Sequence, residues 1–208
     1  NMRAHELITI YHCTSFIGKK DIDKFFLGKS DEIVVTFKNK EQTHKYLEGF
    51  YAVVLSSIYN YHGYLSEEFL NKIRKIGEIY SILVYLVYIF LEQNNSTFSD
   101  NNDPNKIIPF SKFQFKISEK TLISIVQNIT GYLHDEICEL LKFFTNYGNS
   151  SFWDKPLFKI EQFFFIEIHS LISVATPYLI DTWLKEAFKN YDNKGKLFEK
   201  FFKNEVSR

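Results

Sequence analysis

The sequence predicts a mainly α-helical fold, a bundle of about four to six helices with a small β-sheet of about two or three strands. Helix start and stop signals recur along most of the chain after residue 38. Strand-like patterns are confined to short runs. Because 45% of the residues are hydrophobic and 24% are charged, the composition is that of a folded globular protein. We therefore expect a single domain over residues 1–208.

The expected strands come from three short runs. Residues 7–11 and 33–37, within a strand-rich N-terminal segment at 1–38, combine β-branched and aromatic side chains. Residues 112–117 alternate between apolar and polar side chains, as a strand with one solvent-exposed face does. The three runs are predicted to form one sheet.

Two helices are predicted over residues 39–92. A capping-box arrangement at Asn39 favours a first helix that ends at Gly63, and Ser66 followed by two glutamates favours the start of a long central helix. The segment 93–110 is rich in Asn, Ser, Asp and Pro, so we expect a mobile surface loop there.

The half at 118–208 is predicted to be helical. Ser118 is expected to cap a helix over 119–147, which ends where Gly148 takes a left-handed conformation. A second long helix is predicted over 154–191, because Asp154 and Pro156 suit a first turn.

Pro177 falls inside that second long helix. A proline removes a backbone hydrogen bond from a helix interior, so a kink or break is expected at Thr176. A short helix over 196–203 follows. Its many lysines favour a solvated terminal helix over an RNA contact.

The aromatic content is unusually high, with 22 Phe, 13 Tyr and 2 Trp. Aromatic rings bury large areas, so an aromatic-rich core is expected. Not all of them fit inside a chain of this size, and exposed Phe and Tyr favour interfaces. The sequence therefore predicts a partner-binding or self-associating module, with a protein partner or a homodimer. AT-rich coding DNA, which favours Phe and Tyr codons, is an alternative explanation of the high aromatic content.

The charge balance and the cysteines exclude several classes. Lys plus Arg and Asp plus Glu number 25 each, so the strong positive charge of a non-specific nucleic-acid binder is missing. Cys13 and Cys138 are far apart, which favours a reducing cytoplasm. No signal peptide is recognised, and residues 79–91 are too short to cross a bilayer. We expect a cytoplasmic protein without a membrane partner.

The segment at 134–139 is the densest in chemically active side chains. On a helix, His134 and Cys138 share one face, and Glu136 and Glu139 lie one turn apart. Two such carboxylates hold a divalent metal only when another helix supplies a second pair, and no suitably spaced pair is present. We therefore expect no metal and no cofactor, and treat the segment as a solvated face that includes acid–base candidates.

His169 interrupts an apolar run at 163–170. A core or boundary histidine is the simpler interpretation, and a proton-transfer group in a cleft is the alternative. The catalytic candidates are therefore His169, His134, Glu136 and Glu139. Because the common nucleophile and phosphate-loop motifs are missing, binding is favoured over catalysis.

Residues 133–144, followed by Tyr147-Gly148 and Ser151-Phe152, resemble an internal helix and turn of HEPN domains. These are helical bundles of prokaryotic defence and toxin systems, in which an arginine and a nearby histidine on one helix cleave RNA at a dimer cleft without a metal. Under this resemblance 158–170 is that helix and His169 is its histidine. The chain departs from the pattern because no arginine precedes His169 at the required distance. The resemblance thus implies an RNA-binding or RNA-cleaving domain, with an inactive member favoured.

Overall fold

The computed structural model describes residues 40–99, 114–148, 150–173, 176–188 and 194–206. Within these ranges the chain is mainly helical with a small antiparallel sheet, which confirms the predicted fold class. The helices are α1 (Lys40–His62), α2 (Glu67–Ser99), α3 (Glu119–Thr130), α4 (His134–Leu141), α5 (Ile168–Ser173), α6 (Thr176–Ala187) and α7 (Lys194–Val206). The strands are β1 (Gln114–Ser118), β2 (Leu157–Ile160) and β3 (Phe163–Glu167). The runs at 7–11 and 33–37 lie outside the described residues.

Helices α1 and α2 pack against each other as a helical hairpin. Both helices begin within about one residue of the positions predicted from the sequence, and α1 also ends there. The turn between them is closed by a hydrogen bond from Leu65 N to His62 O at 3.0 Å. The middle of α2 is the centre of the core, where Ile76, Ile79 and Leu83 are fully buried. The long central helix predicted from sequence is confirmed.

The predicted end of that helix at Glu92 is wrong, because α2 continues to Ser99. Residues 93–99 are therefore helical and not part of a loop, and the remainder of the expected loop lies outside the described residues. Asn, Ser and Thr each cost an established helix only a few tenths of a kcal/mol, about 0.7 at most.

The single helix predicted over 119–147 is instead two helices. The N-cap is as predicted, since the Ser118 side chain accepts a hydrogen bond from Thr121 N at 3.1 Å. Gly131 then ends α3 in the left-handed region, at φ 73°, and its N–H bonds to Gln127 O. Gly148 also has a positive φ, of 92°, but it lies in a loop after α4.

The prediction of a long helix over 154–191 is wrong for its first third, because β2 and β3 form a hairpin there. The sheet order is β1-β3-β2, and Phe158 pairs with Phe165 across the hairpin. A two-residue turn joins the strands, with Glu161 at φ 53°. Short runs of Phe and Ile have no period that separates a strand from a buried helix, and their β-propensity prevails here.

Strand β1 confirms the alternation predicted at 112–117, although its described partner is β3 and not an N-terminal run. Helix α6 begins at Thr176, as the break predicted there requires, with Pro177 in its first turn where the missing N–H costs nothing. The terminal helix is longer than the predicted 196–203.

One hydrophobic cluster contains side chains from each of the six helices α1 through α6 and from the inner face of the sheet. Aromatic rings lie at its centre, since Trp183, Phe115 and Phe144 are fully buried, and this confirms the aromatic-rich core. A second, smaller cluster lies on the other face of the sheet and contains Phe152, Phe158 and Phe165. None of the helices in the described ranges has a stretch long and apolar enough to span a bilayer.

Candidate functional site

The first turns of α4 place a histidine, an acid and a thiol together at the surface. His134 Nδ1 lies 3.3 Å from Asp135 Oδ1 and 3.8 Å from Cys138 Sγ. The His134 side chain is 65% exposed. The helical spacing noted in the sequence therefore does bring His134 and Cys138 into contact, on an open helix face.

The two candidate carboxylates of α4 point to different partners. Glu136 Oε1 accepts a hydrogen bond from Lys75 Nζ at 2.5 Å, which ties α4 to α2, and Glu139 pairs with Lys142 on its own helix. The described residues contain no group of three or more side chains that could hold a metal ion. The carboxylates therefore act as ion-pair partners and do not converge on one reacting centre.

The Cys138 thiol is not activated. Partial burial raises its pKa, and the nearby carboxylates of Glu119 and Asp135 raise it further. Catalytic cysteines need the opposite, because the thiolate is the nucleophile.

We predict that Cys138 alkylates slowly at neutral pH. Its rate with iodoacetamide should keep rising above the pH at which a free cysteine, with a pKa near 8.5, levels off. The measurement is a pH series in a Cys13→Ser background, with glutathione as the reference thiol. A rate equal to or faster than that of glutathione at pH 7 would contradict the raised pKa.

His169 lies in the first turn of α5, directly after β3. Its side chain is outside the described set, so its proton-transfer role stays a prediction. The neighbouring backbone is held by Glu167, whose Oε2 accepts a hydrogen bond from Ser170 N at 2.6 Å. Glu167 thus caps the start of α5.

A polar network that the sequence did not indicate runs along α2. We call it the tyrosine seam. Tyr132, in the turn between α3 and α4, donates a hydrogen bond to Glu78, and Lys75 Nζ lies 5.2 Å from the centre of the Tyr132 ring. The seam consists of Tyr51, Tyr59, Arg74, Lys75, Glu78, Tyr132 and Glu136.

At the other end of the seam, Arg74 connects α1 to α2. Its Nη2 donates to Tyr59 Oη at 2.5 Å, and its Nη1 donates to Asn71 and to Glu67. Arg74 is the only arginine in the described ranges. It is fully engaged in holding the helical hairpin, and its position on α2 is not the one that the HEPN pattern requires.

The phenols of Tyr51 and Tyr132 stay protonated near neutral pH, because their pKa values are raised. Burial raises the pKa of Tyr51 to about 12, with the Glu78 carboxylate adding to the effect. Burial, together with the hydrogen bond to Glu78, also raises the pKa of Tyr132. The seam therefore supplies hydrogen-bond donors and compensated charges, which suit a structural connection between helices better than acid–base chemistry.

Helix α7 carries a contrasting surface, which we call the Phe face. It consists of Leu197, Phe198, Phe201 and Phe202, which are between 38% and 57% exposed. The ring of Tyr64, in the turn after α1, contacts Phe198 edge-on with centroids 5.4 Å apart and lies 6.5 Å from Phe201. The high aromatic content was the only sequence signal for this surface, and it did not indicate which rings are exposed.

The opposite side of α7 is basic. With about 100° between successive residues, Lys196, Lys200 and Lys203 lie across the helix from the Phe face. Lys196 and Lys200 are exposed, in keeping with the solvated terminal helix expected from the sequence.

Comparison with known proteins gives no precedent for either surface: no protein-family model, no curated protein and no solved structure matches this chain significantly.

Proposed function

We propose that the protein is a non-catalytic docking module that uses the Phe face of α7 to bind another surface. One observation carries the proposal. Three phenylalanines and a leucine on one short helix remain 38–57% exposed, although the chain buries Phe115 and Phe144 completely. Exposed aromatic side chains that lie together on one helix are typical of surfaces that bind a partner.

The polar clusters support binding over catalysis. Glu136, Glu139 and Glu78 each have a partner in an ion pair or a hydrogen bond. The pKa values of the Cys138 thiol and of the Tyr51 and Tyr132 phenols are all raised. A general acid or base instead needs a pKa near the working pH and a free approach to substrate.

RNA binding is the second candidate function. Single-strand binding proteins stack bases on aromatic side chains next to positive charge, and α7 carries exposed phenylalanine rings together with lysines. An inactive HEPN-like domain would have this activity without cleavage. Incubation with single-stranded RNA, followed by gel shift and by gel analysis of the RNA itself, separates binding from cleavage.

The Phe face is expected to bind an apolar dye in the folded protein. Wild type should enhance the fluorescence of ANS, and the double variant Phe198→Ser/Phe202→Ser should lose at least half of that enhancement, because two of the three rings of the Phe face are removed. The measurement is a dye titration with circular dichroism as the check of folding.

A matched control removes two apolar side chains elsewhere that are more exposed than Phe198 and Phe202. Leu133 and Tyr147 are 74% and 59% exposed, so Leu133→Ser/Tyr147→Ser should keep the ANS signal of the wild type. A wild type that binds no ANS, or a loss as large in the control variant, would show that α7 is not a docking surface.

A further inference from the structure

The Phe face is too small to hold a rigid protein partner by itself. A phenylalanine or leucine side chain covers roughly 200 Å², so exposures of 38–57% leave an apolar area on the order of 350 Å². A stable protein–protein interface buries about 800 Å² on each partner. A second copy of this chain, docked on the Phe face alone, would therefore associate only weakly.

A lipid bilayer does not have that requirement. Its hydrocarbon chains fit around any side chain, so a small apolar face is sufficient for reversible binding when charge contributes as well. Helices that lie in the interfacial region of a membrane carry Phe and Leu on one face and lysines on the other. Helix α7 has this arrangement, with the Phe face opposite Lys196, Lys200 and Lys203.

The charge of α7 is complementary to an anionic surface. Its sequence KGKLFEKFFKNEV contains four lysines and two glutamates, although the whole chain is neutral. Positive charge is thus concentrated on the helix that also carries the exposed rings. Each lysine close to an anionic bilayer adds about 1 kcal/mol of attraction.

We propose that the surface bound by α7 is an anionic lipid membrane; this inference rests on the proposed docking function. Phe198, Phe201 and Phe202 enter the boundary between head groups and acyl chains, and the lysines contact lipid phosphates. For Phe198 to enter the bilayer, the ring of Tyr64, which contacts it edge-on, moves away from the Phe face. From the sequence no membrane partner is expected, because no segment is long enough to cross a bilayer. This does not conflict with the proposal, since α7 lies on the bilayer without crossing it.

Co-sedimentation of the full chain with vesicles tests the proposal. Binding to phosphatidylcholine vesicles that contain roughly 30% phosphatidylglycerol should be at least about tenfold stronger than binding to phosphatidylcholine alone. It should fall by a similar factor in Phe198→Ser/Phe202→Ser, and Leu133→Ser/Tyr147→Ser should bind like the wild type. Half-molar salt should weaken binding, because it screens the lysines.

Several results would overturn the lipid assignment. They are no binding to anionic vesicles, equal binding to both kinds of vesicle, or unchanged binding by Phe198→Ser/Phe202→Ser. If ANS still reports an open Phe face in those cases, the docking function stands and the partner is different. Dimers in light scattering that are lost in the same variant would then identify a second copy as that partner.

Discussion

Replacing Trp183 with alanine is expected to lower the free energy of unfolding by about 3–5 kcal/mol. The side chain is 0% exposed. Its ring lies 5.5 Å from the rings of both Tyr80 and Phe144, so the variant leaves a large cavity among aromatic side chains. Urea denaturation followed by circular dichroism measures the loss.

Two other tryptophan variants serve as controls. Trp183→Phe should cost no more than about 2 kcal/mol, because Trp183 Nε1 has no hydrogen-bond acceptor among the described residues and its loss breaks no hydrogen bond. Trp153→Ala should cost less than Trp183→Ala, since Trp153 is only half-buried. If Trp183→Ala and Trp153→Ala were equally stable, Trp183 would not lie at the centre of the core.

Replacement of glycine with alanine is expected to change the free energy of unfolding in opposite directions at two helical positions, Gly77 and Gly49. Gly77→Ala places a Cβ 2.6 Å from Val54 Cγ1, where α1 and α2 pack together. Overpacking of this kind costs about 1–3 kcal/mol, which exceeds the gain of about 1 kcal/mol in helix propensity. We therefore expect a net loss of up to about 2 kcal/mol.

Gly49 is the matched site for comparison. A Cβ there meets no atom within 4 Å, so Gly49→Ala should raise the free energy of unfolding by about 0.5–1 kcal/mol. The double variant Gly77→Ala/Val54→Ala should be less destabilised than the sum of the two single variants, because Val54→Ala removes the clashing methyl. A stabilising Gly77→Ala, measured by the same urea denaturation, would contradict the close approach of the two helices.

Local signals located several elements correctly. Ser118 caps α3 through its own side chain, and the alternation before it is strand β1, because a cap and a strand face are both read from a few consecutive residues. The hairpin at 157–167 was missed because the same Phe and Ile side chains suit a buried strand or a buried helix. Its strand β3 pairs with β1, about 50 residues earlier in the chain, and such a long-range pairing leaves no local signal in the sequence.

The sequence by itself determined the composition of the core, the starts of α1, α2 and α3, and the excess of aromatic side chains, since these depend on residue type and local spacing. Tertiary structure alone decided which side chains meet. Tyr132 reaches Glu78 and Lys75 reaches Glu136 only because α4 packs on α2. It also decided which rings stay exposed, because burial depends on the neighbours of each helix: Tyr64 contacts Phe198 edge-on, and the side chains of the Phe face remain 38–57% exposed.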